Sequence, residues 1–163
     1  MTFPGSELVN LRPATPADIP SMIELERACP TAAHWTESRY HQAVQPGAEQ
    51  RFVLVAEGPL PGSEQHLFGF LVACHIGPEW ELENIVVAPA ARRNGLGAAL
   101  LEALRAAART THSESVFLEV RESNTAARML YERAGFETTG RRKAYYADPA
   151  EDAILYRLQI APA

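Results

Sequence analysis

Two arginines and two glycines stand immediately before an alanine- and leucine-rich segment, in the order Arg92-Arg93-Asn94-Gly95-Leu96-Gly97. Glycine permits a positive φ and a close approach of the backbone, so Gly95 and Gly97 are expected to bend this loop around a ligand. A helix that starts here points its free N–H groups and the positive end of its dipole at the loop. The spacing therefore predicts a pyrophosphate site, and the alternative is a loop glycine, a cap glycine and two solvated arginines.

Two well-known phosphate loops do not fit this segment. The Walker loop requires a lysine followed by Ser or Thr after its second glycine, and no such lysine is present. The dinucleotide fingerprint requires a third glycine, but Ala98, Ala99 and Leu100 follow Gly97. The pattern here is Arg-x-x-Gly-x-Gly, which follows an apolar strand and Pro89.

A carboxylate lies in the next predicted strand. In residues 116–121 the side chains of Val116, Leu118 and Val120 alternate with those of Phe117, Glu119 and Arg121. Glu119 therefore lies on the less apolar face. By spacing alone it is interpreted as a solvated strand residue next to Arg121.

A phenol and an amide share one side of the helix that follows. Tyr131 comes seven residues after Asn124, with Ala127 between them on the same stripe. This arrangement suits a narrow cofactor channel. The alternative is that Tyr131 is an ordinary packing residue.

The pattern of the whole chain predicts the elements that position these groups. In chain order we expect a strand, two helices, three strands, a helix, a strand, a helix and a strand, with a further strand around "RRKAYY". The helix after the loop has Leu96, Leu100 and Leu104 on one side, and "GPLPGSEQ" (58–65) reads as a turn region. This order favours an α/β class with a mixed sheet, helices on its faces and a single domain over residues 1–163.

Composition narrows the class of protein. The chain has 163 residues and a net charge of −5, so binding of nucleic acid through overall charge is not expected. The apolar runs are too short for a membrane span, and the two cysteines do not form a disulfide framework. The five histidines have no metal-ligand spacing. We expect a cytoplasmic protein without a metal and without direct contact to nucleic acid or membrane.

Three segments resemble the GNAT (GCN5-related) N-acetyltransferase superfamily: "LENIVVAPAARRNGLGAALLEAL", "LEVRESNTAARMLYERAGF" and "RRKAYYADPAEDAILYRL". They cover about half of the chain, and they are most similar to the RimI-type ribosomal-protein-alanine N-acetyltransferases. The resemblance implies a GNAT fold, whose mostly antiparallel sheet is splayed between strands 4 and 5. It also implies acetyl-CoA as the acetyl donor.

The resemblance assigns roles to individual residues. It implies that the donor contacts Ile85, Val86, Val87, Arg92, Arg93, Asn94, Gly95, Leu96, Gly97, Ala98 and Asn124. It implies that Glu119 is the general base, acting through a water, and that Tyr131 is the general acid for the leaving thiolate. Glu81 and Glu83 on the preceding strand are the rival bases, because other branches of the superfamily carry their catalytic carboxylate there.

The expected function is transfer of acetyl to the N-terminal α-amine of a protein, with a small-subunit ribosomal protein that begins with alanine as the expected acceptor. An acetyltransferase of a small amine or of a lysine side chain is the first alternative. A non-catalytic acyl-CoA-binding module is the second. The run Arg141-Arg142-Lys143 is interpreted as a solvated basic edge, and the alternative is contact with an acidic partner or with the donor's outer phosphate.

Overall fold

The computed structural model describes residues 9–48, 50–60 and 62–162. Its chain forms two compact units. The first contains residues up to Cys74 together with Glu83–Leu100, and the second contains His75–Leu82 together with the residues from Leu101 onward. The expectation of a single domain over residues 1–163 stays a prediction.

Eleven helices and strands are formed by the described residues. In chain order they are β1 (Asn10–Pro13), α1 (Ile19–Arg27), α2 (Glu37–Val44), β2 (Arg51–Leu60), β3 (Ser63–Ile76), β4 (Glu79–Val87), α3 (Leu96–Thr110), β5 (Ser115–Arg121), α4 (Thr125–Arg133), β6 (Glu137–Tyr146) and β7 (Glu151–Gln159). The strands form one sheet in the order β1-β2-β3-β4-β5-β7-β6. The α/β class, the order of elements and the additional strand at "RRKAYY" are confirmed.

The first unit is organised by α1 and α2 packing on β2 and β3. Its core contains side chains from all four elements, namely Ile19, Met22, Tyr40, Ala43, Val55, Phe70 and Val72. A capping box between Thr15 and Asp18 starts the helical segment before α1, and the Thr15 N–H donates to the Asp18 carboxylate over 2.8 Å. The predicted turn over residues 58–65 is wrong in extent, because β2 continues to Leu60 and β3 begins at Ser63.

The second unit is built on antiparallel pairs of β7 with β5 and with β6. As predicted, one face of β5 is buried, with Val116, Leu118 and Val120 at most 6% exposed. The helix α4 ends before Gly135, whose φ of 97° is left-handed and ends the helix at low cost. Among the described helices, none is long and apolar enough to cross a membrane.

The pairing of β4 with β5 is parallel and short. The ladder joins Glu79 with Ser115, Trp80 with Val116, and Glu81 with Phe117. Both strands continue beyond these pairs, β4 to Val87 and β5 to Arg121. The mostly antiparallel sheet with one short parallel pair agrees with the predicted splay between strands 4 and 5.

Candidate functional site

The glycine-rich loop lies in the first unit and leads directly into α3. A short 3-10 turn at Pro89–Ala91 follows β4, and the first helical hydrogen bond runs from the Ala99 N–H to the Gly95 carbonyl over 2.9 Å. The amides of Leu96, Gly97 and Ala98 therefore have no acceptor within the helix. Such a helix start is suited to bind an anion.

Two left-handed residues shape this loop. Gly95 has a φ of 82°, as expected, but the second positive φ (63°) belongs to Arg93. The expectation of a positive φ at Gly97 was wrong, because Gly97 is the second residue of α3 and a helix requires a negative φ. A non-glycine residue in the left-handed region costs about 1–3 kcal/mol, and such residues cluster at functional sites.

The two arginines of the loop lie in different surroundings. Arg92 donates to the Val87 carbonyl and to the Cys29 Sγ, both over 3.3 Å, so it connects the end of β4 to the segment that follows α1. The Asn94 amide donates to the Arg92 carbonyl over 2.9 Å. The Arg93 side chain is exposed and makes no ion pair with another residue that the structure describes. Of the two cations, Arg93 is thus the more available to an anion.

Gly69 on β3 allows the end of β4 to approach closely. A Cβ on Gly69 would lie 2.7 Å from the Val86 carbonyl oxygen and 3.4 Å from the Leu96 Cδ2. Only glycine allows this approach. Val86 is buried, whereas Ile85 and Val87 are half-buried. A glycine inside the apolar strand "HLFGFLVACHI" was the available signal, because strand glycines often mark such contacts.

Glu83, also in the first unit, forms ion pairs with two arginines. Its carboxylate pairs with Arg51 and, over 3.3 Å, with Arg39. The Arg39 guanidinium also lies 3.7 Å above the Trp35 ring. The Glu83 side chain is only 9% exposed. Two guanidinium groups thus hold one nearly buried carboxylate, which leaves little of Glu83 open to an acceptor.

Glu119 lies on β5 in the second unit and has a different environment. It forms one ion pair, with the Arg142 Nε over 3.0 Å, and its side chain is 19% exposed. The Tyr145 hydroxyl bonds to the same carboxylate, which raises the pKa of Tyr145; the charge of Glu81 acts on Tyr145 in the same direction. Both contacts come from β6, and Arg142 belongs to the run that was interpreted as a solvated basic edge. No sequence pattern indicated this pairing.

Asn124 and Tyr131 lie at the start and in the last turn of α4. The Asn124 Oδ1 caps the helix by accepting from the Ala127 N–H over 3.2 Å. Tyr131 is buried, and its ring lies 5.8 Å from Phe136 and 6.1 Å from Tyr156 between centroids. Burial raises the pKa of Tyr131, and Tyr146 raises it further. Tyr131 is therefore protonated at neutral pH.

A buried phenol fixes the helix that carries Tyr131. The Tyr156 hydroxyl donates to the Glu132 carboxylate over 2.7 Å and accepts from the Arg128 Nε over 3.0 Å. These two helical residues flank Tyr131 in the sequence. Tyr156 therefore fixes the position of α4 on β7.

The predicted residues thus form two groups, each within one unit. The first group comprises the loop from Arg92 to Ala98 and the end of β4, and the second comprises Glu119, Asn124 and Tyr131. Across the described ranges, no cluster of three or more His, Cys, Asp or Glu side chains is arranged to hold a metal ion.

Comparison with known proteins gives consistent matches. Residues 19–136 match the acetyltransferase (GNAT) family. The chain is 34% identical over 146 residues to the [ribosomal protein bS18]-alanine N-acetyltransferase of Escherichia coli K12, covering 88% of this chain and 93% of the relative.

Solved structures have the same fold. The crystal structure of the ribosomal-protein-S18-alanine N-acetyltransferase from Escherichia coli matches with a TM-score of 0.79 and 30% identity, covering 96% of each chain. Arabidopsis thaliana NAA60 in complex with acetyl-CoA matches with a TM-score of 0.83, covering 93% of this chain and 99% of that one. At 18% identity, this second match is a likeness of fold.

Proposed function

The chain belongs to the acetyltransferase (GNAT) family, and on this premise we propose that it transfers the acetyl group of acetyl-CoA to the α-amine of a protein N-terminus. The expected acceptor is a ribosomal protein that begins with alanine. The observation that carries this proposal is the 34% identity to the Escherichia coli alanine N-acetyltransferase, which extends over 88% of the chain. A ribosomal acceptor also implies a cytoplasmic location.

The pKa of the acceptor favours an α-amine. An α-amino group has a pKa near 8, so removing its proton at pH 7 costs about 1.4 kcal/mol. A lysine amine with a pKa near 10.4 costs about 4.6 kcal/mol. One glutamate acting through a water is adequate for the easier deprotonation.

The loop before α3 is suited to hold the donor. Acetyl-CoA supplies the acetyl group as a thioester and carries a pyrophosphate. The free amides of Leu96, Gly97 and Ala98 would bind that pyrophosphate, and the exposed Arg93 would add a charge. The backbone of Ile85–Val87 and the side-chain amide of Asn124 would orient the rest of the molecule. Arg92 would contribute by fixing Val87, which its guanidinium contacts.

The chemistry requires one base and one acid. Glu119 would accept the proton of the acceptor ammonium through a water, and the neutral amine would then attack the thioester carbonyl. As the C–S bond breaks, Tyr131 would give its hydroxyl proton to the departing sulfur. The attacking nitrogen would lose its second proton as the amide forms, and that proton would restore the Tyr131 hydroxyl through water. The raised pKa of Tyr131 keeps that proton in place until the thiolate forms.

The counter-ions favour Glu119 over Glu83, one of its two rivals on β4. Glu83 is held by two arginines and its side chain is 9% exposed, whereas Glu119 has one ion-pair partner among the described residues and is 19% exposed. A base must be reached by the acceptor, and a single exposed partner is easier to displace than two. We therefore assign the proton transfer to Glu119.

A peptide competition tests the acceptor. An alanine-initiated peptide is mixed with the same peptide blocked at its N-terminus and carrying an internal lysine, and acetylation is followed by mass spectrometry. We expect the free α-amine to be acetylated faster. Faster acetylation of the blocked lysine peptide, or of a free polyamine, would refute the α-amine acceptor, and absence of transfer to any amine would refute the enzyme.

A further inference from the structure

Glu119 is covered by two side chains of β6. The Arg142 Nε lies 3.0 Å from the Glu119 Oε1, and the Tyr145 hydroxyl bonds to the same carboxylate. Residues 142 and 145 are three positions apart, so in a regular strand their side chains would point to opposite faces. The fact that both reach one carboxylate requires an irregularity in β6.

A bulge supplies that irregularity. The register of β6 with β7 shifts between Arg142 and Tyr146. Within the shifted segment, Ala144 has a φ of 52°, and its N–H donates to the Asp152 Oδ1 over 2.8 Å. Bulges of this kind redirect side chains and recur next to active sites. The bulge therefore brings Arg142 and Tyr145 to the same carboxylate.

The ion pair of Arg142 with Glu119 is weak enough for another cation to displace Arg142. The Arg142 side chain is 57% exposed, and exposed ion pairs contribute little because water screens them. The neighbouring cations are differently engaged, since Arg141 pairs with Glu122 and Asp152. Arg121 pairs with Glu151 and lies 4.3 Å from the centre of the Tyr146 ring. Within the described part of the chain, the only acidic partner of Arg142 is Glu119.

We propose that Arg142 is a place-holding cation, which pairs with Glu119 until the ammonium of the acceptor, together with the water that relays its proton, takes its position. Arg142 is then a positioning residue that makes the site select a positively charged amine, since a neutral ligand gains nothing that replaces the lost ion pair. The proposal rests on the proposed function, in which Glu119 is the base.

The test measures the acceptor KM and kcat of Arg142→Gln with an alanine-initiated peptide at saturating acetyl-CoA. Removing the competing cation should lower KM about two- to fivefold, equivalent to about 0.4–1 kcal/mol, with kcat unchanged. Arg142→Lys retains a cation and should keep the wild-type KM. Arg141→Gln is the control: it breaks exposed ion pairs on the same strand that do not involve Glu119, and it should leave KM unchanged.

A second measurement separates charge from simple opening of the site. Calorimetry compares the peptide with an analogue whose N-terminal amine is replaced by a hydroxyl. Arg142→Gln should tighten binding of the amine peptide only. A KM that is unchanged or higher in Arg142→Gln, or equal tightening of both peptides, would overturn the place-holding role. By contrast, a fully active Glu119→Gln variant would overturn the proposed base itself, so the two failures are distinguishable.

Discussion

Replacing Tyr131 with phenylalanine removes one hydroxyl from a buried side chain and leaves the ring in place. The ring packs against Phe136 and Tyr156 at centroid distances of 5.8 and 6.1 Å, and phenylalanine preserves both contacts. No hydrogen bond to the Tyr131 hydroxyl exists among the residues that the structure describes. The substitution therefore removes a proton donor without breaking a polar contact of the fold.

The size of the expected effect follows from this environment. A positioned general acid typically contributes about 10²–10⁴-fold to the rate, which corresponds to about 3–5 kcal/mol of transition-state stabilisation. The free energy of unfolding should change by less than about 1 kcal/mol, since packing is retained. Burial raises the pKa of Tyr131 above its ordinary value of 10. Loss of its proton should therefore not limit the wild-type rate at any pH below 10.

The assay is single-turnover acetyl transfer to an alanine-initiated peptide, with the affinity for acetyl-CoA measured separately by calorimetry. We expect kcat of Tyr131→Phe to fall at least a hundredfold while the affinity for acetyl-CoA changes less than threefold. A rate within threefold of wild type would show that another group, or water, protonates the thiolate. A parallel loss of acetyl-CoA affinity would instead assign Tyr131 to binding.

Four further substitutions test the loop, the base and its rival, and the buried acid. Gly97→Val should abolish acetyl-CoA binding in calorimetry while circular dichroism shows an intact fold, because a branched side chain would block the approach of the pyrophosphate. Glu119→Gln should lower kcat at pH 7 and recover part of it at pH 9, where the amine is already neutral. Glu83→Gln should retain the wild-type kcat. If instead Glu83→Gln loses activity and Glu119→Gln does not, Glu83 is the base. Burial raises the pKa of Glu26, and its Oε2 has no hydrogen-bond partner in the described part of the chain. As the pH rises above about 4.5, Glu26 loses its proton in the unfolded chain before it does in the folded chain. The free energy of unfolding of the wild type therefore falls. At pH 8, Glu26→Gln should unfold at a higher urea concentration than wild type, with a free energy of unfolding larger by about 1 kcal/mol. At pH 4 the two proteins should unfold at the same urea concentration.

Local patterns in the sequence predicted most of the fold. Alternation along β5 identified its buried face, and the spacing of Leu96, Leu100 and Leu104 identified the buried side of α3. Each of these signals depends on neighbours within a few positions, where the backbone geometry fixes which side chains meet. The turn region at residues 58–65 was wrong because strand pairing overrides the preference of isolated glycines and prolines for turns.

The candidate site was predictable only in part. The resemblance to a family supplied Glu119, Asn124 and Tyr131, but not the partners that determine how Glu119 behaves. Arg142 lies 23 positions further along the chain than Glu119. The bulge that redirects Arg142 has alanine, not glycine, at position 144, so the sequence does not predict it. The hydrogen bond from Arg92 to the Val87 carbonyl could not be predicted either, since an arginine before a phosphate loop suggests a ligand rather than a structural contact.

The ion pair between Arg142 and Glu119 also bears on how the product leaves. The acceptor arrives as an ammonium, which competes with the guanidinium for one carboxylate. Acetylation converts it into an amide without charge, so the product has no means of holding Glu119 against Arg142. The guanidinium then returns to the carboxylate, which removes the electrostatic attraction for the peptide at the step where it must dissociate. A weak, exposed ion pair suits this cycle because a buried one, such as the pairing of Glu83 with two arginines, would exclude the acceptor as well as the product.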